Sequence, residues 1–310
     1  MSVMRNVLLA GSESHWLRHQ APRLKFVKKA VMRFMPGERA EDALDAAASL
    51  RQLGIASVLT HLGENISDPS EAARVRQHYL DVLAKIKRTG LDCQISVKLT
   101  QLGLDVDEGQ CHASLRALAE QAAALGAFVW IDMEQHGYVD RTLALYRQVL
   151  GEFPNVGVCL QSYLYRTPAD VASLVPLGGG IRLVKGAYKE TGDVAYPKKS
   201  DVDASFLTLA KQMIAPAARA ARLRAVFGTH DLRIIRAIQD HAEGSGVPRD
   251  AYEFDLLYGI QREEQARLAR DRYRVRVLIS YGDYWFPWYM RRLAERPANV
   301  LFVAKSIFSG

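Results

Sequence analysis

Two cations, Arg182 and Lys185, interrupt and close an apolar run, and the stretch from Gly180 to Tyr188 is where the chain first shows chemistry. Read as a strand, it sets Arg182 and Val184 on one face and Ile181, Leu183 and Lys185 on the other. A cation closing a buried strand needs an anionic partner or a wet cavity. Other apolar runs end the same way: Lys98, Asp132, Gln161, Thr229, His230 and Glu253 each fall where one closes. Polar side chains recurring at strand ends predict an active mouth. A second cluster lies near the C-terminus. Trp288, Arg291, Arg292 and Glu295 are spaced i, i+3, i+4 and i+7, so a helix would present them on one face. Two arginines beside an aromatic suit a planar carboxylate or a phosphate, with Glu295 holding one guanidinium in place. The plainer alternative is a salt-bridge network on the rim of the last helix.

These residues leave several chemistries open. A mouth rich in cations accepts a carboxylate substrate, a phosphate-bearing cofactor, or both. Lys98 or Lys185 could instead form a Schiff base in an aldolase-like lyase, a neighbouring cation lowering its pKa. A non-enzymatic anion-binding protein would use the same charges for an acidic lipid or nucleic acid, but it does not explain the polar strand ends. No metal site is expected, because His61 and His230 are isolated and no HExxH pattern occurs. There is no Gly-x-Ser-x-Gly elbow either.

The elements that must position these residues alternate along the chain. After a helix over 40–52, apolar strand-like runs begin at Ile55, Cys93, Phe128, Val156, Ile181, Leu223, Ala251 and Val275. A helical segment follows each, and the spacing is mostly about 25–35 residues, as βα units require. Eight such units in 310 residues predict an α/β fold, a closed (β/α)8 barrel with extra N-terminal helices. A doubly wound open sheet would want a GxGxxG after the first strand, and none is there. The expected division is residues 1–54 as helices packed on the barrel and 55–310 as the barrel itself.

Composition is that of an ordinary globular chain, 49% hydrophobic and 24% charged, with a mild and scattered net charge of +7. That excess suits an anionic ligand and is no nucleic-acid signal. Cys93, Cys111 and Cys159 form no CxxC, and Cys93 and Cys159, in apolar strand-like runs, read as buried thiols. No signal peptide or membrane span stands out, so a cytoplasmic chain is the default. The basic, amphipathic stretch 14–35 is the natural candidate for peripheral contact with a membrane.

Several motifs, in order along the chain, resemble one family. They are Ser96-Val97-Lys98-Leu99, Ile131-Asp132, Leu160-Gln161-Ser162-Tyr163, Arg182 to Tyr188, Thr229-His230-Asp231, Glu253-Phe254 with Leu257-Tyr258-Gly259, and Tyr289 to Glu295. The pattern is similar to bacterial monofunctional proline dehydrogenases, and to the proline-oxidising domain of the bifunctional proline catabolic enzymes. The resemblance implies a distorted barrel that holds FAD, oxidises L-proline to Δ1-pyrroline-5-carboxylate by hydride transfer from C5 to flavin N5, and passes electrons to membrane quinone. It further implies that Lys98, Arg291 and Arg292 clamp the proline carboxylate, Glu295 orients an arginine, and Asp132 lines the substrate pocket. Gln161 and Arg182 would face the flavin ring. Lys185, Gly186, Ala187, Tyr188, Lys199, Thr229, His230 and Asp231 would hold the ribityl, pyrophosphate and adenosine parts. Asp132, Met133, Val184 and Glu253 complete the expected cofactor set.

Some positions depart from the family pattern. Leu278 stands where a tyrosine usually packs on the substrate ring, Trp288 where a tyrosine is usual, and Met133 where alanine is frequent. The carboxylate clamp and the reaction are expected to be unchanged, the apolar wall to be altered, and discrimination against 4-hydroxyproline to be looser.

Overall fold

The structure, a computed structural model, describes residues 31–285. Trp288, Arg291, Arg292, Glu295 and most of the basic N-terminal stretch lie outside the described residues. Eight parallel strands close into a barrel in sequence order, β1 pairing with β8. They are β1 (Ala56–His61), β2 (Cys93–Val97), β3 (Val129–Ile131), β4 (Val156–Gln161), β5 (Gly180–Val184), β6 (Arg224–Gly228), β7 (Tyr252–Leu257) and β8 (Arg274–Tyr281). The (β/α)8 barrel expected from the alternation is the fold observed.

Strand boundaries moved by a few residues, for a common reason. The runs ending in Lys98, Asp132 and Thr229 leave the ladder just before the polar residue, at Val97, Ile131 and Gly228. Those side chains therefore sit on the first turn beyond the sheet. A polar loop follows β5. Its last residues already form α6 (Lys199–Met213), and Pro216 restarts the chain as the short α7 (Pro216–Ala220).

The helices wrap the barrel with caps that the sequence encodes. In α2 (Pro69–Thr89), Asp68 caps the start by accepting from the Ser70 N–H at 2.8 Å, and Gly90 closes the end in the left-handed region at φ 62°. In α8 (Leu232–Gly244), the N-cap is Asp231, whose carboxylate accepts from the Arg233 N–H. One side of each strand packs on these helices. Leu59, Ile95, Ile131, Val158, Ile181, Leu183, Phe254 and Val277 join one continuous core there. Alternation turns the other side inward, where Val58, Trp130 and Val226 form a separate small cluster with Phe128 and Leu278. Gly157 makes room for it: a Cβ there would lie 2.4 Å from the Trp130 ring.

Candidate active site

Arg182 organises the barrel interior. It is the third residue of β5, 2% exposed, and every nitrogen of its guanidinium is engaged. Nε donates to Cys159 Sγ at 2.8 Å, Nη2 to Ser96 Oγ at 2.7 Å and to Asp132 Oδ1 at 2.5 Å, and Nη1 to Asp255 Oδ2 at 3.4 Å. The guanidinium also lies 5.0 Å from the Trp130 ring centroid. β2, β3, β4 and β7 thus converge on one side chain of β5. Period-two alternation explains this, since Ser96, Trp130 and Cys159 stand two residues before Lys98, Asp132 and Gln161.

One layer higher, Lys98 Nζ donates to Asp132 Oδ2 at 3.4 Å. Asp132 is therefore shared between two cations. Burial raises its pKa, but the charges of Lys98 and Arg182 and the hydrogen bond from Ser96 outweigh that and hold the carboxyl below its ordinary range. Burial also pushes the Cys159 thiol up to about 12, so it stays protonated beside Arg182. Gln161 is 2% exposed, and its Nε2 donates to the Met133 carbonyl at 3.4 Å. Its Oε1 is buried with no hydrogen-bond partner among the described residues. Met133 offers this backbone oxygen; its side chain turns outward into the core beneath the helices.

The other half of the predicted set gathers beyond β5 and β6. Lys185 Nζ donates to Asp203 Oδ1 at 2.5 Å and to Asp231 Oδ2 at 3.0 Å. Lys199 reaches the same two carboxylates, and Arg233 lies beside them. Three cations thus face two carboxylates, a net charge of +1 at the start of α6 and α8. Burial opposes ionisation of Asp231, yet Lys185, Arg233 and Lys199 hold its pKa far below the usual carboxylate range. Thr229 Oγ1 accepts from the Asp231 N–H at 3.2 Å, and His230 Nε2 accepts from the Leu257 N–H at 2.9 Å, so that nitrogen carries no proton. Gly186 has φ 113°, and a Cβ there would lie 2.4 Å from the Tyr163 ring. Ala187 is exposed and Tyr188 half-buried on the same turn, with Val184 half-buried against Gly228.

Glu253 needs a correction. It was expected at the mouth, but it is the second residue of β7 and lies at the opposite end of the barrel. Its carboxylate accepts from Arg224 Nη2 at 2.9 and 3.0 Å and from Arg276 Nε at 3.4 Å. Arg276 continues to Asp92 Oδ1 at 2.9 Å. The residue was misplaced because β7 carries two inward carboxyls, Glu253 and Asp255, and neither stands at its close. The Schiff-base reading of Lys185 also loses its ground, because its amine is ion-paired to two carboxylates and is not free to attack a carbonyl.

Other residues escaped the sequence reading. Glu134 is buried, accepting from the Thr100 N–H at 3.1 Å and from Thr100 Oγ1 at 2.5 Å, and so ties the turn after β3 to the turn after β2. Asp255 carried no local signal, since it pairs across the sheet with Arg182, whereas Asp203 pairs with Lys199 one turn earlier on its own helix as well as with Lys185, and that i,i+4 spacing could have marked it.

The fit of a flavin nucleotide can be judged from this chain alone. Gln161 Oε1 is a buried acceptor awaiting an N–H donor. The net positive cluster at two helix starts suits a pyrophosphate. The residues present fit the group.

Comparison with known proteins identifies the family. Residues 43–305 match the family model for proline dehydrogenase. The chain is 36% identical over 305 residues to proline dehydrogenase 1 of Bacillus subtilis subsp. natto, covering 98% of this chain and 99% of that one. It is 39% identical over 283 residues to the proline dehydrogenase of Deinococcus radiodurans, covering 90% of each. Among solved structures, proline utilization A from Bdellovibrio bacteriovorus inactivated by N-propargylglycine shares the fold with a TM-score of 0.82 at 23% identity. The match covers 94% of this chain and 36% of that longer one. On the family match and the near-full-length relatives, the chain belongs to the proline dehydrogenase family of oxidoreductases.

Proposed function

We propose that this protein oxidises L-proline to Δ1-pyrroline-5-carboxylate with bound FAD and passes the electrons to a membrane quinone. The observation that carries the reading is the Lys98–Asp132–Arg182 relay at the barrel mouth, in a chain whose relatives are named for this activity. When bound, FAD supplies the two-electron acceptor: proline gives up the C5 hydride and its amine proton and becomes the cyclic imine.

The chain's own residues supply binding, orientation and electrostatics. Lys98 sits at the mouth with its amine on Asp132, which holds it in place as one arm of the carboxylate clamp. Arg291 and Arg292 would supply the other arms, with Glu295 orienting an arginine. The surrounding cations favour the neutral form of the substrate amine, which the reaction needs because a protonated nitrogen has no pair to give the developing imine. Arg182 is locked from four directions and would present a fixed positive charge to a flavin ring as negative charge builds up on it. Gln161 would offer its unpartnered oxygen to the same ring. Lys185, Lys199, Thr229, His230 and Asp231 would hold the pyrophosphate and adenosine, and the side-chain-free Gly186 lets the chain turn past Tyr163. Leu278 and Trp130 supply apolar wall. Among the described residues no helix is long and apolar enough to cross a membrane, so delivery to quinone would use peripheral contact, for which residues 14–35 are the candidate.

The test is the near-ultraviolet and visible absorbance of the purified protein before and after anaerobic addition of L-proline. Flavin bands that bleach with proline support the reading. Bands that proline leaves unmoved, with the dye-linked activity also absent, reject the substrate.

A further inference from the structure

Asp255 is an inward carboxyl of the barrel that neither the proposed reaction nor the floor network uses. It projects from the middle of β7 at 4% exposure, and its Oδ2 accepts from Arg182 Nη1 at 3.4 Å. Its Oδ1 is buried with no hydrogen-bond partner among the described residues. The groups around it come from every neighbouring element that carries charge: Arg182 on β5, Arg224 on β6, Glu253 on its own strand and Arg276 on β8. The Cys159 thiol on β4 and Asp132 beyond β3 share its arginine.

We propose that Asp255 tunes the flavin reaction by setting, through its own charge beside Arg182, the net charge that the guanidinium layer presents at the mouth. The proposal rests on the reading of the mouth as a flavin site. Its geometric basis is the unequal grip on Arg182. Asp132 and Ser96 hold Nη2 at 2.5 and 2.7 Å, close enough to keep the guanidinium oriented whatever the state of Asp255. The longer Asp255 contact is the one free to change its charge without releasing the arginine.

With both carboxylates ionised, Lys98 and Arg182 are balanced by Asp132 and Asp255; with Asp255 protonated the layer carries one positive charge. An ionised oxygen buried without a donor is costly, which favours the neutral form. Burial and the neighbouring Glu253 push the carboxyl up to about 7 against the pull of Arg182, Arg276 and Arg224. A proton on Asp255 leaves the layer one positive charge richer, and that added charge should make flavin reduction easier as pH falls.

The experiment uses the whole flavin-loaded chain. The flavin midpoint potential is measured by dithionite titration against a reference dye across about pH 6 to about pH 8, with wild type and Asp255→Asn. Wild type should show an inflection near 7 beyond the flavin's own pH dependence, equivalent to about a tenfold change in the reduction equilibrium. D255N should lose the inflection, with KM for L-proline little changed. Infrared difference spectra of the same samples should show a carboxylic-acid carbonyl band appearing through neutrality in wild type and missing from the variant. An inflection that persists in D255N overturns the proposal. So does a wild type with no inflection or no titrating band, which needs no variant to fold. Because dithionite replaces the substrate, failure of proline to bleach the flavin would reject the substrate reading and leave this measurement intact.

Discussion

The two ends of the barrel are built from the same residue types and do opposite things. At the floor, Glu253 accepts from Arg224 and Arg276, and Arg276 continues to Asp92 and to the Ser57 carbonyl. Arg224 lies 4.6 Å from the Phe128 ring centroid and 5.3 Å from that of Trp130. Both oxygens of Glu253 are taken. At the mouth, Lys98, Asp132 and Arg182 form an equally dense network, but Gln161 Oε1 and Asp255 Oδ1 are left over. Trp130 lies between the two, meeting both Arg182 and Arg224. Charge alone therefore does not mark the working end of this barrel. A closed polar network is structural, whereas one with unpaired buried atoms is arranged for something else to complete it.

The largest effect that would break this contrast is at Arg182. Arg182→Met removes the guanidinium hub while keeping the unbranched apolar stem. Steady-state kinetics on L-proline should show kcat lowered by about a hundredfold to a thousandfold, with KM moved less. A variant within tenfold of wild type would mean that the mouth network, like the floor, is only structural.

The matching change at the floor is Glu253→Ala. It strands Arg224 and takes from Arg276 one of its two carboxylates, and should lower unfolding free energy in denaturant titration by about 3–5 kcal/mol. Turnover per folded, flavin-loaded molecule should fall by less than about tenfold, the reach of one displaced charge on Asp255. A loss as large as that of Arg182→Met would show that the floor takes a direct part in the chemistry.

A third, smaller effect concerns the seam between β1 and β8, where the chain leaves the barrel after its last strand. His61 packs with its ring 4.5 Å from that of His78, and His78 Nε2 lies 2.8 Å from the Tyr281 hydroxyl. Burial, and then the charge of His78, lower the His61 pKa to about 4. The folded value is below the unfolded one of about 6.5, so the unfolded chain takes up the proton first. Stability is whole above about pH 6.5 and falls as pH drops toward about 4. Denaturation midpoints across that range should show the decline, and His61→Gln should flatten it. A decline of unchanged size in the variant would assign it to His78, which burial also lowers, or to the carboxylates of the mouth and cofactor clusters.

The smallest effect sharpens the picture of the mouth. Leu278 is half-buried on β8 beside Val58, Trp130 and Val226, and offers no hydroxyl. Efficiency on L-proline should exceed that on trans-4-hydroxy-L-proline by less than about a hundredfold. A larger ratio in competition assays would show that some other wall residue excludes the hydroxyl.

Much of this molecule was legible in the sequence. Eight apolar runs with helical segments between them specified the barrel, because a buried parallel strand and its covering helix leave distinct periodicities. Lys98, Asp132, Gln161, Arg182, Thr229 and His230 were marked by polar residues closing apolar runs, and the ordered motifs marked the family. Where each polar side chain points along the barrel axis was not legible. Glu253 and Asp255 are two residues apart on one strand, yet Glu253 closes the floor and Asp255 reaches toward the mouth. Which layer a residue joins depends on strand stagger, and stagger is settled only when the sheet closes and β1 meets β8. The same closure decided that Lys185 faces two carboxylates and that Arg182 gathers partners from four other strands or their ends. Residue types and periodicity are local properties and survive in the sequence; the pairing of charges across a closed sheet is not local, and the tertiary structure decided it.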